Sequence, residues 1–158
     1  MASVEAQTLG TLLRHLLEQL DGAVEAAYAS AGLDYRPRYT PIVRALRVLG
    51  PASIRAVAER AGITHSAVSQ TVAQMAKRRL VKLTPGADAR ERIVALTPAA
   101  LAMLPQLEKQ WALTNAASEA LSAELSASLF DVVREALAAL DKRPFPDRLA
   151  ALARKDRR

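Results

Sequence analysis

Residues 53–97 read SIRAVAERAGITHSAVSQTVAQMAKRRLVKLTPGADARERIVALT, and this stretch decides the fold. Ile54, Val57, Ala58 and Ala61 recur at the i, i+3, i+4, i+7 spacing of one buried helical face. Ser53 stands before them as an N-cap, and Gly62 follows as a residue able to take the left-handed conformation that ends a helix. Ile63 is expected to plug the turn and Thr64 to cap a second helix that buries Val68, Val72, Met75 and Ala76. Two β-capable runs come next, Leu80 to Thr84 and Arg92 to Leu96, separated by the turn residues Pro85, Gly86, Ala87 and Asp88. The order helix, tight turn, helix, hairpin predicts a helix-turn-helix with a β-wing.

The outer face of the second helix carries Ser66, Gln70, Ala73, Gln74 and Lys77, with Ser69 at its flank. Short side chains permit close approach to a major groove, hydroxyls reach phosphate, and glutamine can pair with a base edge. A merely solvated face more often alternates Glu with Lys, whereas this helix has no acid. Gln70 is the best candidate for a base contact, with phosphate or water as the alternative partner. Thr64 and Ser66 suit phosphate, His65 lies in the first turn close to it, and Lys77 and Arg78 add backbone contacts. Arg90 and Arg92 flank the hairpin turn, where a cation on a thin ribbon can follow the backbone or enter a narrow minor groove. Charge points the same way. The 158-residue chain carries a net +6, but residues 37–97 hold eleven Lys or Arg against three acids, a net +8 that leaves −2 elsewhere. Such asymmetry is the footprint of a nucleic-acid face.

At this point the stretch resembles the winged helix-turn-helix of the MarR family of bacterial transcription regulators. The resemblance is carried by Ala67-Val68-Ser69-Gln70, by Leu80-Val81, and by the wing pattern D-x-R, three residues, an aliphatic, any residue, L-T, here Asp88, Arg90, Val94, Leu96 and Thr97. The layout resembles the family from about residue 5 to 142, and the last sixteen residues lie outside it. The resemblance implies a homodimer with helices of both termini interlocked, double-stranded DNA as partner, and Arg90 at the minor groove. Asp88 would orient Arg90, or serve simply as a turn residue. It also implies a pocket near the first, second and fifth helices for a small aromatic or anionic ligand, for which His15, Tyr39, Arg47 and Trp111 are the candidates.

The flanking segments suit that layout. Residues 4–31 predict one long helix with a stripe through Leu9, Leu12, Leu13, Leu16, Leu17, Leu20, Val24, Ala27 and Tyr28, stopped by Gly32. A stripe that long needs a second long helix to cover it. His15 within it also reads as a core or interface histidine. Thr40-Pro41 predicts a cap and first helical residue for a helix to Leu49, with Ile42, Val43, Leu46 and Leu49 apolar. Thr97-Pro98 repeats that signature before a helix to about Ala120, kinked at Pro105. Ser122 is expected to cap a last long helix to Asp141, and Asp147 a short terminal one with Leu149 and Leu152 on one side. The expected fold is thus mainly α with a small β-wing. Residues 1–36 and 98–158 supply dimerisation helices and a tail, and 37–97 the DNA-binding domain.

Composition bounds the alternatives. There is no cysteine, which excludes disulfides, thiolate metal sites and the cysteine-based peroxide sensing of some MarR-like proteins. The two histidines lack metal-ligand spacing, so no metal or cofactor is expected. No apolar run reaches the length of a membrane span and the N-terminus does not read as a signal peptide, so a cytoplasmic protein is expected. No phosphate-cradling glycine loop, HExxH or G-x-S-x-G occurs, and a helix would fan Thr64, His65 and Ser66 apart, so no catalytic residue is assigned. The leading reading is a dimeric, sequence-specific regulator, a repressor possessing a pseudo-palindromic operator. A winged-helix protein-interaction module and an architectural DNA-binding protein are the alternatives.

Overall fold

A computed structural model describes residues 8–88 and 91–155. The elements in order are α1 (Leu9–Ser30), a 3-10 turn (Pro37–Tyr39), α2 (Thr40–Leu49), β1 (Ala52–Ser53), α3 (Ile54–Ala61) and α4 (His65–Lys77). They continue with β2 (Val81–Pro85), β3 (Arg92–Leu96), α5 (Pro98–Ala123), α6 (Leu129–Lys142) and α7 (Phe145–Lys155). The chain divides into two compact units, Met1–Gln110 and Trp111–Arg158, with the division inside α5.

In the first unit, helices α2, α3 and α4 pack in sequence, α2 and α3 also touch β3, and α4 touches β2. Ile42, Val57, Val68, Val72, Met75 and Val94 are buried to 2% exposure or less and form the centre of this lobe. Each such side chain contributes about 1.5–3 kcal/mol by leaving water. The expected inner faces of α3 and α4 are the observed ones, apart from half-buried positions at Ile54, Ala61 and Ala76. Two positions differ. Leu49 is 41% exposed at the last turn of α2, and Ile63 is 36% exposed, so it does not plug the turn. Gly62 instead makes the turn by itself at φ +67, and Ile63 N–H donates to the Ala58 carbonyl at 3.2 Å.

The sheet has three strands in the order β1-β3-β2, all antiparallel. The sequence suggested only the hairpin. In the structure Ala52 pairs with Val94 and Ser53 with Ile93 on its far side. The wing strands pair from Val81 with Leu96 to Pro85 with Arg92, so β2 starts and ends one residue later than the sequence suggested. Pro85 is tolerated because β2 is an edge strand.

Helix ends show which capping expectations fail. Ser53 and Thr64 cap as expected, accepting from Ala56 N at 3.2 Å and Ala67 N at 3.2 Å. Thr40 does not cap α2: the 3-10 turn feeds the helix directly, and Thr40 is its first residue. Ser122 lies inside α5, which runs on to Ala123 and is continuous through Pro105. The cap of α6 is Ser128, which accepts from Asp131 N at 3.3 Å, while Ser122 Oγ accepts from Leu129 N at 3.3 Å. Asp147 sits in the first turn of α7 rather than before it, because Pro144 already accepts from Asp147 N at 3.1 Å. In the second unit the Arg148 guanidinium donates to the carbonyls of Ala139 at 2.8 Å and Arg143 at 3.0 Å, fastening α7 to the end of α6.

Three tyrosines bind α1 to the connector before α2. Tyr35 meets Tyr28 and Tyr39 edge-on, with ring centroids 5.0 and 5.5 Å apart, a geometry that aromatic quadrupoles favour. Tyr35 donates a long 3.4 Å hydrogen bond to Thr40 Oγ1, and Tyr28 Oη lies 3.5 Å from the same atom. Burial pushes the Tyr35 phenol well above its ordinary value of 10.0; the Thr40 hydrogen bond and Arg44 oppose the shift, and Tyr28 and Tyr39 add to it. The unfolded phenol ionises near its ordinary value while the folded one stays neutral, so its contribution is complete below that pH and is lost as pH rises past it. Chemical denaturation on either side of that pH should therefore show an alkaline loss of stability, reduced in Tyr35→Phe. Gly62→Ala should cost about 1–2 kcal/mol in the same assay, the cost of an L-residue in the left-handed region. The added methyl would itself meet no atom within 4 Å.

Candidate nucleic-acid interface

Recognition helix α4 is held by its inner face and its two ends. Val68, Val72 and Met75 are buried, which turns Ser66, Gln70, Ala73, Gln74 and Lys77 outward, all exposed, with Ser69 half-buried beside them. Thr64 and His65 are exposed at its start. Thr64 satisfies one first-turn amide and its carbonyl accepts from Val68 N at 3.0 Å. The other early amides lack helical acceptors and, with no acid in the first turn, favour an anion. Six of the expected DNA-facing residues thus lie on one element, His65, Ser66, Ser69, Gln70, Gln74 and Lys77, and a seventh, Thr64, caps it.

The far end of α4 closes on Arg78 and Arg79. Arg79 takes φ +57 and donates to Ala76 O at 2.9 Å, while Leu80 N donates to Met75 O at 2.9 Å. This is the double hydrogen bond of a left-handed helix stop, here on an arginine rather than a glycine, at a cost of about 1–2 kcal/mol. Arg78, expected on the DNA backbone, forms an ion pair with Asp34 of the α1–α2 connector. Such a partly exposed pair is worth about 0–1 kcal/mol, so a phosphate can compete for the guanidinium. Asp34 was not among the expected site residues. It lies 44 positions away, and no local pattern announces the pairing.

On the wing, Asp88 is exposed in the turn and its carbonyl accepts from Glu91 N at 2.9 Å, while Gly86 N donates to Glu91 O at 2.9 Å. Arg92 is exposed at the start of β3, opposite Pro85. Arg90 lies outside the described residues.

The four ligand candidates have dissimilar settings. His15 is exposed in the first half of α1, and Tyr39 is buried with its ring edge-on to Tyr35. Arg47 is ion-paired with Glu108 at 2.6 Å. Trp111 is buried and belongs to the second unit. A described surface depression of about 530 Å³ lies elsewhere, along the helix-turn-helix, lined by Arg55, Ala58, Glu59, Gly62, Ile63, Thr64 and His65. Among the described residues no group of three or more His, Asp or Glu is placed to hold a metal, and no helix is long and apolar enough to cross a membrane.

A capped recognition helix with an acid-free outer face, followed by a hairpin that packs against it, defines a winged helix-turn-helix protein. Residues 32–91 match the family model described as MarR family, so the chain is similar to that family over this stretch. Solved structures agree in fold over most of the chain. A probable transcriptional regulator from Pseudomonas aeruginosa is 25% identical with a TM-score of 0.58, covering 85% of this chain and 97% of its own. The M. tuberculosis transcriptional regulator MosR, solved in complex with DNA, is 21% identical with a TM-score of 0.67, covering 87% and 99%. PcaV from Streptomyces coelicolor, solved with its natural ligand, is 23% identical with a TM-score of 0.58, covering 87% and 97%. No curated protein matches the chain in sequence.

Proposed function

We propose that the protein is a homodimeric, sequence-specific DNA-binding transcription repressor that is released from a pseudo-palindromic operator by a small ligand. The observation that carries DNA binding is the outer face of α4: small residues, two glutamines and a lysine, all outward, inside a segment of net charge +8. Gln70 and Gln74 read base edges in the major groove, Ser66 and Thr64 hold phosphate, and Lys77, Arg90 and Arg92 supply positive charge along the backbone and the wing. The DNA complex of MosR and the ligand complex of PcaV support this reading through a shared fold.

Dimerisation follows from uncovered apolar surface. Leu9 on α1 is 72% exposed and Phe130 on α6 is 67% exposed, and Leu12, Leu13, Leu17, Val132, Val133 and Leu137 accompany them. Stripes of this length are stable in water only when another surface covers them. A second copy would do so with two-fold symmetry and set two α4 helices about one turn of DNA apart. A ligand would act by favouring one spacing of those helices over another. An anionic ligand reaching Arg47 would have to replace Glu108, which now pairs with it.

Salt-titrated fluorescence anisotropy tests the reading, using the DNA upstream of the protein's own coding sequence and an unrelated duplex. A steep salt slope with preference for the upstream DNA is expected. Lys77→Ala should lower the slope by about one on both duplexes, whereas Gln70→Ala should cost about 1–3 kcal/mol of preference. Arg90→Ala should weaken binding to the upstream DNA. Equal binding to both duplexes would indicate an architectural protein, and no binding at low salt a protein-interaction module. Sedimentation should give a dimer, with Leu17→Asp and Leu137→Asp driving it toward monomer without loss of helix.

A further inference from the structure

Thr97 joins three elements with one residue. Its Oγ1 accepts from Ala100 N at 3.2 Å, which caps α5. The same hydroxyl donates to the Arg79 carbonyl at 2.7 Å, with the Leu80 carbonyl 3.3 Å away. A hydroxyl has a single proton to donate, and the shorter contact takes it. Leu80 O is served instead by the Thr97 main-chain N–H at 3.0 Å. Thr97 thus extends the β2–β3 ladder one step beyond the Val81–Leu96 pair, onto the two residues that end recognition helix α4. Arg79, whose carbonyl receives the hydroxyl, is also the described non-glycine residue with positive φ.

We propose that Thr97 is a positioning residue for base recognition: its hydroxyl fixes the exit of α4 against the end of the wing and the start of α5, and DNA specificity depends on that bond. The inference rests on the DNA-binding reading above. Base-edge contacts need placement to about 0.5 Å, which side chains on a helix reach only if the helix itself is fixed. Phosphate contacts are long-ranged and tolerate displacement. Losing the bond therefore weakens the specific complex more than the non-specific one. An N-cap alone would account for the contact with Ala100, but it does not require the proton to be directed at Arg79.

Three substitutions separate the two roles. Thr97→Ser keeps acceptor and proton. Thr97→Asp keeps an acceptor for Ala100 N–H, and a helix N-terminus favours it, but it has no proton for Arg79 O. Thr97→Val loses both. Affinity is measured for a duplex that wild-type protein enriches from a random pool and for a random-sequence duplex of equal length. The readout is the ratio of the two affinities at matched high salt, where added charge is screened, because partial unfolding scales both together and leaves the ratio unchanged. Wild type and Ser should share one ratio, while Val and Asp should lower it about tenfold, the equivalent of one hydrogen bond. The aspartate variant keeps the test open if the valine variant fails to fold. A ratio unmoved in Asp, or affinities that fall in parallel, would overturn the positioning role while leaving the DNA reading intact. Absence of duplex binding by wild type would overturn both.

Discussion

The pairing of Ala52 with Val94 and Ser53 with Ile93 is the contact on which the winged lobe depends. It is short, but it joins the start of the helix-turn-helix to the middle of the wing across some forty residues of chain. Through it, Val94 lies between two strands and is fully buried, and the hairpin cannot pivot away from the helices. Ser53 also caps α3. One residue therefore fixes both the direction in which α3 leaves the sheet and the register of the sheet itself. The recognition helix takes its orientation from α3 and from β2, and both rest on this sheet.

Much of this was legible in the sequence because it is local. Helical spacing identified Val57, Val68, Val72 and Met75, and cap chemistry placed Ser53, Gly62 and Thr64. The outward set on α4 followed from the inward one by geometry alone. What escaped was non-local or ambiguous. A two-residue strand such as β1 has no period to detect. Thr40 before a proline resembles a cap, but its hydroxyl is engaged by tyrosines from two segments, and the 3-10 turn removes the need for one. Ser122 and Ser128 are equally good caps on paper, and only the continuation of α5 to Ala123 decides between them. The pairing of Arg78 with Asp34 spans the chain and leaves no local trace. For the site this divides cleanly: the surface of α4 was readable, whereas the engagement of Arg78 and Arg47 was not.

Those engagements matter for how a basic surface is used. Arg47 pairs with Glu108, Arg78 with Asp34, and Arg36 with Glu25 at 3.7 Å. Pairs this exposed stabilise little, so they hold cations in place without committing them. A basic segment can in this way be ordered before any polyanion arrives, and the exchange of a carboxylate for a phosphate is close to neutral. Arg148 is held differently, by main-chain carbonyls at the end of α6, where the helix dipole favours a cation.

The distribution of aromatic residues has an optical consequence. All three tyrosines lie in one cluster of the first unit, and the single tryptophan, Trp111, lies buried in the second. Tyrosine absorbance and tryptophan emission are therefore separate native reporters, one for each unit, with no label to attach. Coincident transitions would mean that the two units melt as a single cooperative block; displaced ones would give each its own stability.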